Sequence, residues 1–229
     1  AAEAPELPED VQRDIETVAE AMVAARRQGK PVILFTGAHL IKNGLGPLLL
    51  DLVRRGCVTL VAGNVATSIH DFELALIGQT SENVPAALDQ GQFGMAQEFA
   101  YINMAVSVGN QQKLGFGEAL GRVICDAAFR DRVLSLVAGE SLVRRFEHPE
   151  VSLVASCYRN GVPFTVHAGI GTDVTDQHPS LDGAAKGACS ARDFLIFAEQ
   201  IANLAGGGVV VNVGSAVAGP EVLLKAVSM

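Results

Sequence analysis

Pro31-Val-Ile-Leu-Phe-Thr-Gly37 is a continuous apolar run that closes on a small-residue turn. A strand with one solvated face alternates polar and apolar side chains, and a strand buried on both faces does not. The run therefore predicts an interior strand of a parallel sheet. Upstream, Asp10 to Gln28 sets Ile15, Val18, Met22 and Ala25 at helical spacing, with Arg26, Arg27 and Lys30 near the end where cations complement the helix dipole. Gly29 supplies the stop. Downstream, Pro47 to Arg55 predicts a helix with proline in its first turn, and Val58 to Ala62 a second buried strand. Ser68-Ile-His-Asp71 looks like a capping box opening a helix through Ile77, with Asp in place of the usual Glu.

From Gly78 to Gly117 the periodicity weakens while Asn, Gln and Gly accumulate. This predicts an irregular inserted segment (78–117) with short elements, lying over a site or at a subunit contact. Helices follow over Glu118–Ala128, Asp131–Ala138 and Pro149–Arg159, then a third buried strand over Pro163–His167. Ser190-Ala-Arg-Asp193 repeats the capping pattern before a helix ending at Gly206, Val209–Val213 is a fourth strand, and Pro220 opens a last helix. The alternation predicts one α/β domain over 1–229, built on a doubly wound, mostly parallel, Rossmann-like sheet. Ligands of such sheets bind outside the carboxyl ends of the strands. Those ends are 36–44, 62–71, 167–178 and 212–219, where most of the polar and glycine-rich oddities fall.

The 229 residues are 49% hydrophobic and 18% charged, enough to bury a sizeable core. A formal net charge of −8 with no basic face argues against nucleic acid as a partner. Cys57, Cys125, Cys157 and Cys189 form no CxxC pair and read as free thiols of a reducing compartment. The acidic, proline-containing stretch from Ala1 to Asp10 is not a signal peptide, and 200–220 is broken by glycine and asparagine, so no membrane span and a cytoplasmic location are expected.

Four places carry candidate chemistry. The turn Thr36 to Gly44 offers backbone N–H groups, His39 and Lys42 to a phosphate, without matching a GxGxxG or phosphate-loop pattern. His70 and Asp71 stand at a predicted helix start, where neighbours point apart and do not form a catalytic pair. His167, Asp173, Asp176 and His178 suggest a metal site, although their spacing matches no standard ligand motif; Asp182 and Lys186 extend this polar edge. Asn212-Val-Gly-Ser-Ala-Val-Ala-Gly219 follows a strand preceded by Gly206-Gly-Gly208 and lets a dinucleotide's backbone come near. No G-x-S-x-G elbow is present.

In one order, these segments resemble the deoxyhypusine synthase family. Ala38-His-Leu-Ile-Lys-Asn-Gly44 is similar to its S-N-L-I-S-S-G turn, and Ala66-Thr-Ser-Ile-His-Asp71 to its A-G-G-V-E-E segment. Pro149-Glu150, Gly161-Val-Pro163, Thr172-Asp173, Leu195-Ile-Phe-Ala198 and Gly206-Gly-Gly-Val-Val210 follow its further landmarks. The resemblance implies NAD as cofactor, held by Ala38, His39, Leu40, Ile41, Lys42, Ala66, Thr67, Asp71, Asp173 and Gly207. It also implies a homotetramer with sites at subunit interfaces. His70 and Asp71 replace the family's paired glutamates, and Asn212 its active-site histidine. No lysine follows Lys225 to act as nucleophile, so the expectation is either a truncated chain or absent lysine chemistry.

The function expected on this basis is a deoxyhypusine synthase-like, NAD-dependent transferase or oxidoreductase acting on an amine or other polar small molecule. His70, Asp71, Asp176 and Asn212 are its candidate substrate contacts, and His70, His178 and Asn212 its candidate catalytic residues. Two alternatives stand beside it. One is a metal-dependent hydrolase or isomerase using His167, Asp173, Asp176 and His178; the other is a non-catalytic NAD-binding homologue.

Overall fold

The computed structural model describes residues 6–137, 143 and 145–229; Ala1 to Pro5, and Ala138 at the end of one predicted helix, lie outside them. Strands Val32–Thr36 (β1), Leu60–Asn64 (β2), Phe164–His167 (β3) and Val209–Val213 (β4) form one sheet in the order β3-β2-β1-β4. Every pairing is parallel, with Leu34 opposite Val61 on one side and Val211 on the other. β1 is buried at every position because it has neighbours on both edges and helices on both faces. This is an α/β, Rossmann-like architecture. The helices are Glu9–Arg27 (α1), Ala38–Lys42 (α2), Gly46–Arg54 (α3), Val65–Ile77 (α4), Val84–Asp89 (α5), Gln97–Gln111 (α6), Phe116–Cys125 (α7), Ala127–Leu134 (α8), Leu153–Arg159 (α9), Gly183–Ala202 (α10) and Ala218–Val227 (α11).

Alternation along the strands divides the core in two. Val32, Leu34, Val61 and Val166 face a large cluster containing Phe72, Tyr101, Phe116 and Leu153. Ile33, Phe35, Leu60 and Ala62 face the opposite way, onto Phe197 and Ile201 of α10 and Ala226 of α11. Among the described residues the four cysteines are free, and no helix is long and apolar enough to cross a membrane.

The segment 78–117 is less irregular than its composition suggests. α6 crosses the large core with Phe99, Tyr101, Ile102, Ala105 and Val108 all buried. A helix surrounded by protein needs no polar face, so it carries no amphipathic signal. Helix starts differ as well. α9 begins at Leu153, not Pro149, because the Ser152 hydroxyl accepts from Ala155 N at 2.9 Å. α10 begins at Gly183, capped by Asp182, well before Ser190.

Both expected capping boxes lie inside helices and send their aspartates elsewhere. α4 is capped by Asn64, which accepts from Thr67 N at 2.9 Å. Asp71, 1% exposed, instead accepts from Leu153 N at 2.6 Å, Val154 N at 3.2 Å and the Ser152 hydroxyl at 2.5 Å, and so caps α9. Asp193 of α10 accepts from Gly117 N of α7 at 3.0 Å and from Val166 N of β3 at 2.7 Å. Beside it, Ser190 accepts from Ala168 N at 2.9 Å and donates to Val166 O at 2.8 Å. Side chains of α10 thus serve the outer edge of β3, groups that a further strand would otherwise pair.

Candidate functional site

Because all four strands run parallel, the loops predicted to carry function meet along one edge of the sheet. β1 lies between β2 and β4, and the helices that follow β1 and β4 lie on opposite faces, since α3 packs in the large core and α11 in the small one. This is the switch point at which open α/β sheets form a crevice. Gly37 N donates to Val213 O at 2.9 Å, and a Cβ on Gly37 would lie 2.0 Å from Gly214 O. Gly214 itself is left-handed at φ 76°, a conformation that favours glycine. α2 begins immediately after Gly37 and carries His39, exposed, and Lys42, exposed and without an ion-pair partner among the described residues.

A cavity of about 140 Å³ opens beside α2 and the start of α4, and it brings together Lys42, Ala66 and His70. Its wall is completed by Glu73, Glu82 and Val174, while Ser81 and Val84 show that the first half of the 78–117 segment covers it. His70 and Glu73 are three residues apart on one helix and therefore share a face. The Thr80 hydroxyl donates its single hydrogen to Glu73 Oε2, and Thr80 Oγ1 lies 2.7 Å from His70 Nδ1. Nδ1 must then be the donor to Thr80, which leaves Nε2 as the acceptor of the neutral ring. Burial would raise the Glu73 carboxyl, but its bonds to His70, Thr80 and Ser81 N outweigh it and hold the group below its ordinary value. The result is a small pocket with a free ammonium at one side and carboxylates at another.

Several expected site residues are employed elsewhere. Ile41, 2% exposed, is core, and buried Thr67 spends its hydroxyl on Asn64 Oδ1 at 3.0 Å and Thr36 O at 3.4 Å. Asp71 caps α9, and burial pushes its carboxyl up to about 6. Gly207 precedes β4, so it stands at the amino end of the sheet, roughly 16 Å of strand away from the loops that follow it. Asn212 donates to Ser215 O at 2.8 Å and shapes the turn into α11. Leu40 packs against Gly214. Of the expected contacts, Lys42, Ala66 and His70 meet in one cavity. Glu73 and Glu82 were not anticipated; the three-residue spacing of His70 and Glu73 is a signal that could have found the first.

The proposed metal constellation does not assemble. His167 stacks on Phe35 at 5.5 Å and meets Phe197 edge-on at 5.3 Å, and burial pushes its imidazole down to about 4. His178 turns its Nδ1 to Ser180 at 2.8 Å. Asp173 and Asp176 both pair with the buried ammonium of Lys186, the former at 2.8 Å. The same Asp173 oxygen also accepts from Gly169 N at 2.9 Å, and the second oxygen of Asp176 accepts from Gly171 N at 2.6 Å. A cation already sits between these carboxylates. Among the described residues no group of three or more His, Cys, Asp or Glu is placed to hold a metal, which removes the basis of the metal-dependent hydrolase reading.

No protein-family model matches the chain, and no curated protein matches it. Solved structures do. Apo ArgZ, an arginine dihydrolase from the ornithine–ammonia cycle in cyanobacteria, is 21% identical over 96% of this chain and 26% of its own, with a TM-score of 0.53. AgrE in ternary complex with ornithine and NAD+ is 18% identical over 97% of this chain and 27% of its own, at a TM-score of 0.53. Unliganded AgrE gives 17%, 97%, 27% and 0.52 respectively. The chain thus spans about a quarter of the length of these proteins, and at such identity the likeness shows the fold alone. It also corrects the resemblance drawn from short motifs. The structural neighbours are arginine and ornithine proteins and not deoxyhypusine synthases, so the expected transferase of that type and its tetramer lose their support.

Proposed function

We propose that this chain is the NAD-binding part of an enzyme that acts on a small amino acid with a cationic side chain, of the ornithine or arginine kind. The sheet order carries the reading, because it sets a switch point between β1 and β4, where Gly37 and Gly214 let the two strand-end turns pack backbone against backbone. The residues there suit the cofactor's pyrophosphate: the start of α2 at Ala38 and His39, and the turn at Gly214 and Ser215. NAD, when bound, supplies hydride transfer. AgrE, which shares the fold, binds NAD+ and ornithine, and this supports both halves of the proposal. The cavity of about 140 Å³ is too small for a dinucleotide and is allotted to the substrate. There Lys42 would meet a carboxylate, Glu73 and Glu82 an amine or guanidine, and His70 Nε2 would accept a proton.

NAD is expected to raise the melting temperature of the purified chain progressively with concentration, since a ligand of the native state stabilises it. A flat response at millimolar NAD removes the reading. Ala38→Glu, which sets a carboxylate against the pyrophosphate, is expected to weaken NAD binding by roughly tenfold or more. Lys42→Ala is expected to weaken ornithine about tenfold in calorimetry while leaving NAD affinity unchanged. Equal ornithine affinity in the two chains would place the amino acid elsewhere.

A further inference from the structure

α1 is half attached. Ala25 is buried and Met22 packs against the large core, yet every residue from Glu6 to Ala21 is exposed. That exposed length is not polar throughout. Val11, Ile15, Val18, Met22 and Ala25 recur at alternating steps of four and three, the heptad seam of a helix that packs lengthwise on another helix. The seam's C-terminal members rest on the domain's own core, and its N-terminal members are left exposed among the described residues; Ile15 is 53% exposed. Several turns of helix with no packing on any side are marginal in water, so this seam calls for a partner.

Beside the attached end runs an apolar groove of about 340 Å³ between α1 and α3, lined by Ala19, Met22, Val23, Leu52 and Cys57. Arg26, Arg27 and Arg55 form its rim. Arg55 is paired with Asp51 at 2.9 Å and Arg26 donates to Gly56 O at 2.9 Å, so among the described residues Arg27 is the rim cation without a partner. The unattached end of α1 has the opposite character: Glu6, Glu9, Asp10, Asp14, Glu16 and Glu20 surround its apolar seam, with Arg13 as the single cation. An acidic amphipathic helix end and a basic-rimmed apolar groove therefore occur on the same element.

We propose that α1 of this chain pairs antiparallel with α1 of a second copy, each acidic end lying along the other's arginine-rimmed groove. The arrangement is isologous, so one surface serves both partners and association stops at the dimer. It covers Val11, Ile15 and Val18 and sets unlike charges together at both ends, whereas a parallel pairing would set like charges together.

Sedimentation of the purified chain over a micromolar to hundred-micromolar range tests this. A concentration-dependent dimer is expected, and Ile15→Glu with Val18→Glu is expected to raise its dissociation constant roughly a hundredfold or more. Both sites are solvent-facing in the isolated fold, so the variant should keep the cooperative melting of the domain, with any loss of helix signal confined to the free turns of α1. Arg27→Glu is expected to weaken the dimer about tenfold, and Glu9→Arg added to it to restore most of the loss. A native chain that stays monomeric, or a dimer indifferent to the Ile15 and Val18 changes, overturns the proposal. Failure of Glu9→Arg to restore association overturns the antiparallel orientation.

Discussion

Replacing Lys186 with methionine is expected to cost about 3–5 kcal/mol of stability, because it removes one member of a buried charge cluster and strands the others. The Lys186 side chain is 3% exposed, and those of Asp173 and Asp176 are 14% and 9% exposed. Both carboxylates would be left among backbone N–H donors with no cation. For a chain of this size that loss lowers the melting temperature by roughly 10 °C, readable by calorimetry or circular dichroism. The triple change Lys186→Met, Asp173→Asn, Asp176→Asn should recover much of it, since a neutral cluster need not be paired. A Lys186→Met chain that melts like the native one would mean that the 167–178 loop is not held by this lysine. Val174, which walls the Lys42–His70 cavity, follows Asp173 directly, so the same variant should also loosen the site.

Asp193→Ala should be nearly as damaging. Its carboxylate is the acceptor for Gly117 N and Val166 N, both at buried positions. Orphaning two such donors costs about 1–3 kcal/mol each, and their loss lowers the melting temperature by roughly 6–12 °C. The charge also gives the residue a pH signature. Burial pushes the Asp193 carboxyl up to about 7, against hydrogen bonds from Val166, Gly117 and Phe116 that lower it. With the folded value above the unfolded one, the native state holds more protons between about pH 4 and 7. The contribution of Asp193 is therefore full at low pH and shrinks as pH rises through that window. Asp193→Asn does not titrate, so its destabilisation relative to the native chain should be greatest at about pH 4 and decline steadily to pH 8. A stability difference independent of pH would show that the carboxyl titrates normally. Asp71, raised to about 6 by burial, should act in the same direction.

Much of the fold was legible because the strands carry their environment in their composition. Pro31 to Thr36 has no polar alternation, and the strand within it is buried at every position between two neighbours. α6 was not legible for the converse reason: protein on all sides erased the polar face by which a helix declares itself. In the site, residue type was a poor guide to role. His167 and Asp71 are residue types of catalysis, yet one fills an aromatic layer and the other caps α9. Lys42 and His70 were marked by their place at strand ends, and Ala66 by resemblance to a family that the solved structures do not support; the cavity unites all three.

The sequence by itself determined that the chain makes an α/β sheet and that its loops of interest follow the strands, since burial periodicity and turn residues are local properties. Only the tertiary structure decided which polar groups remain free. Ser-x-x-Asp reads identically whether its aspartate caps its own helix, as at a helix start, or reaches across to α9 or α7. Likewise, Asp173 and Asp176 look like metal ligands until Lys186, brought in from α10, fills the space between them. Hydrogen bonds and ion pairs over such distances depend on how helices dock, and docking is set by the whole core and not by any segment of it.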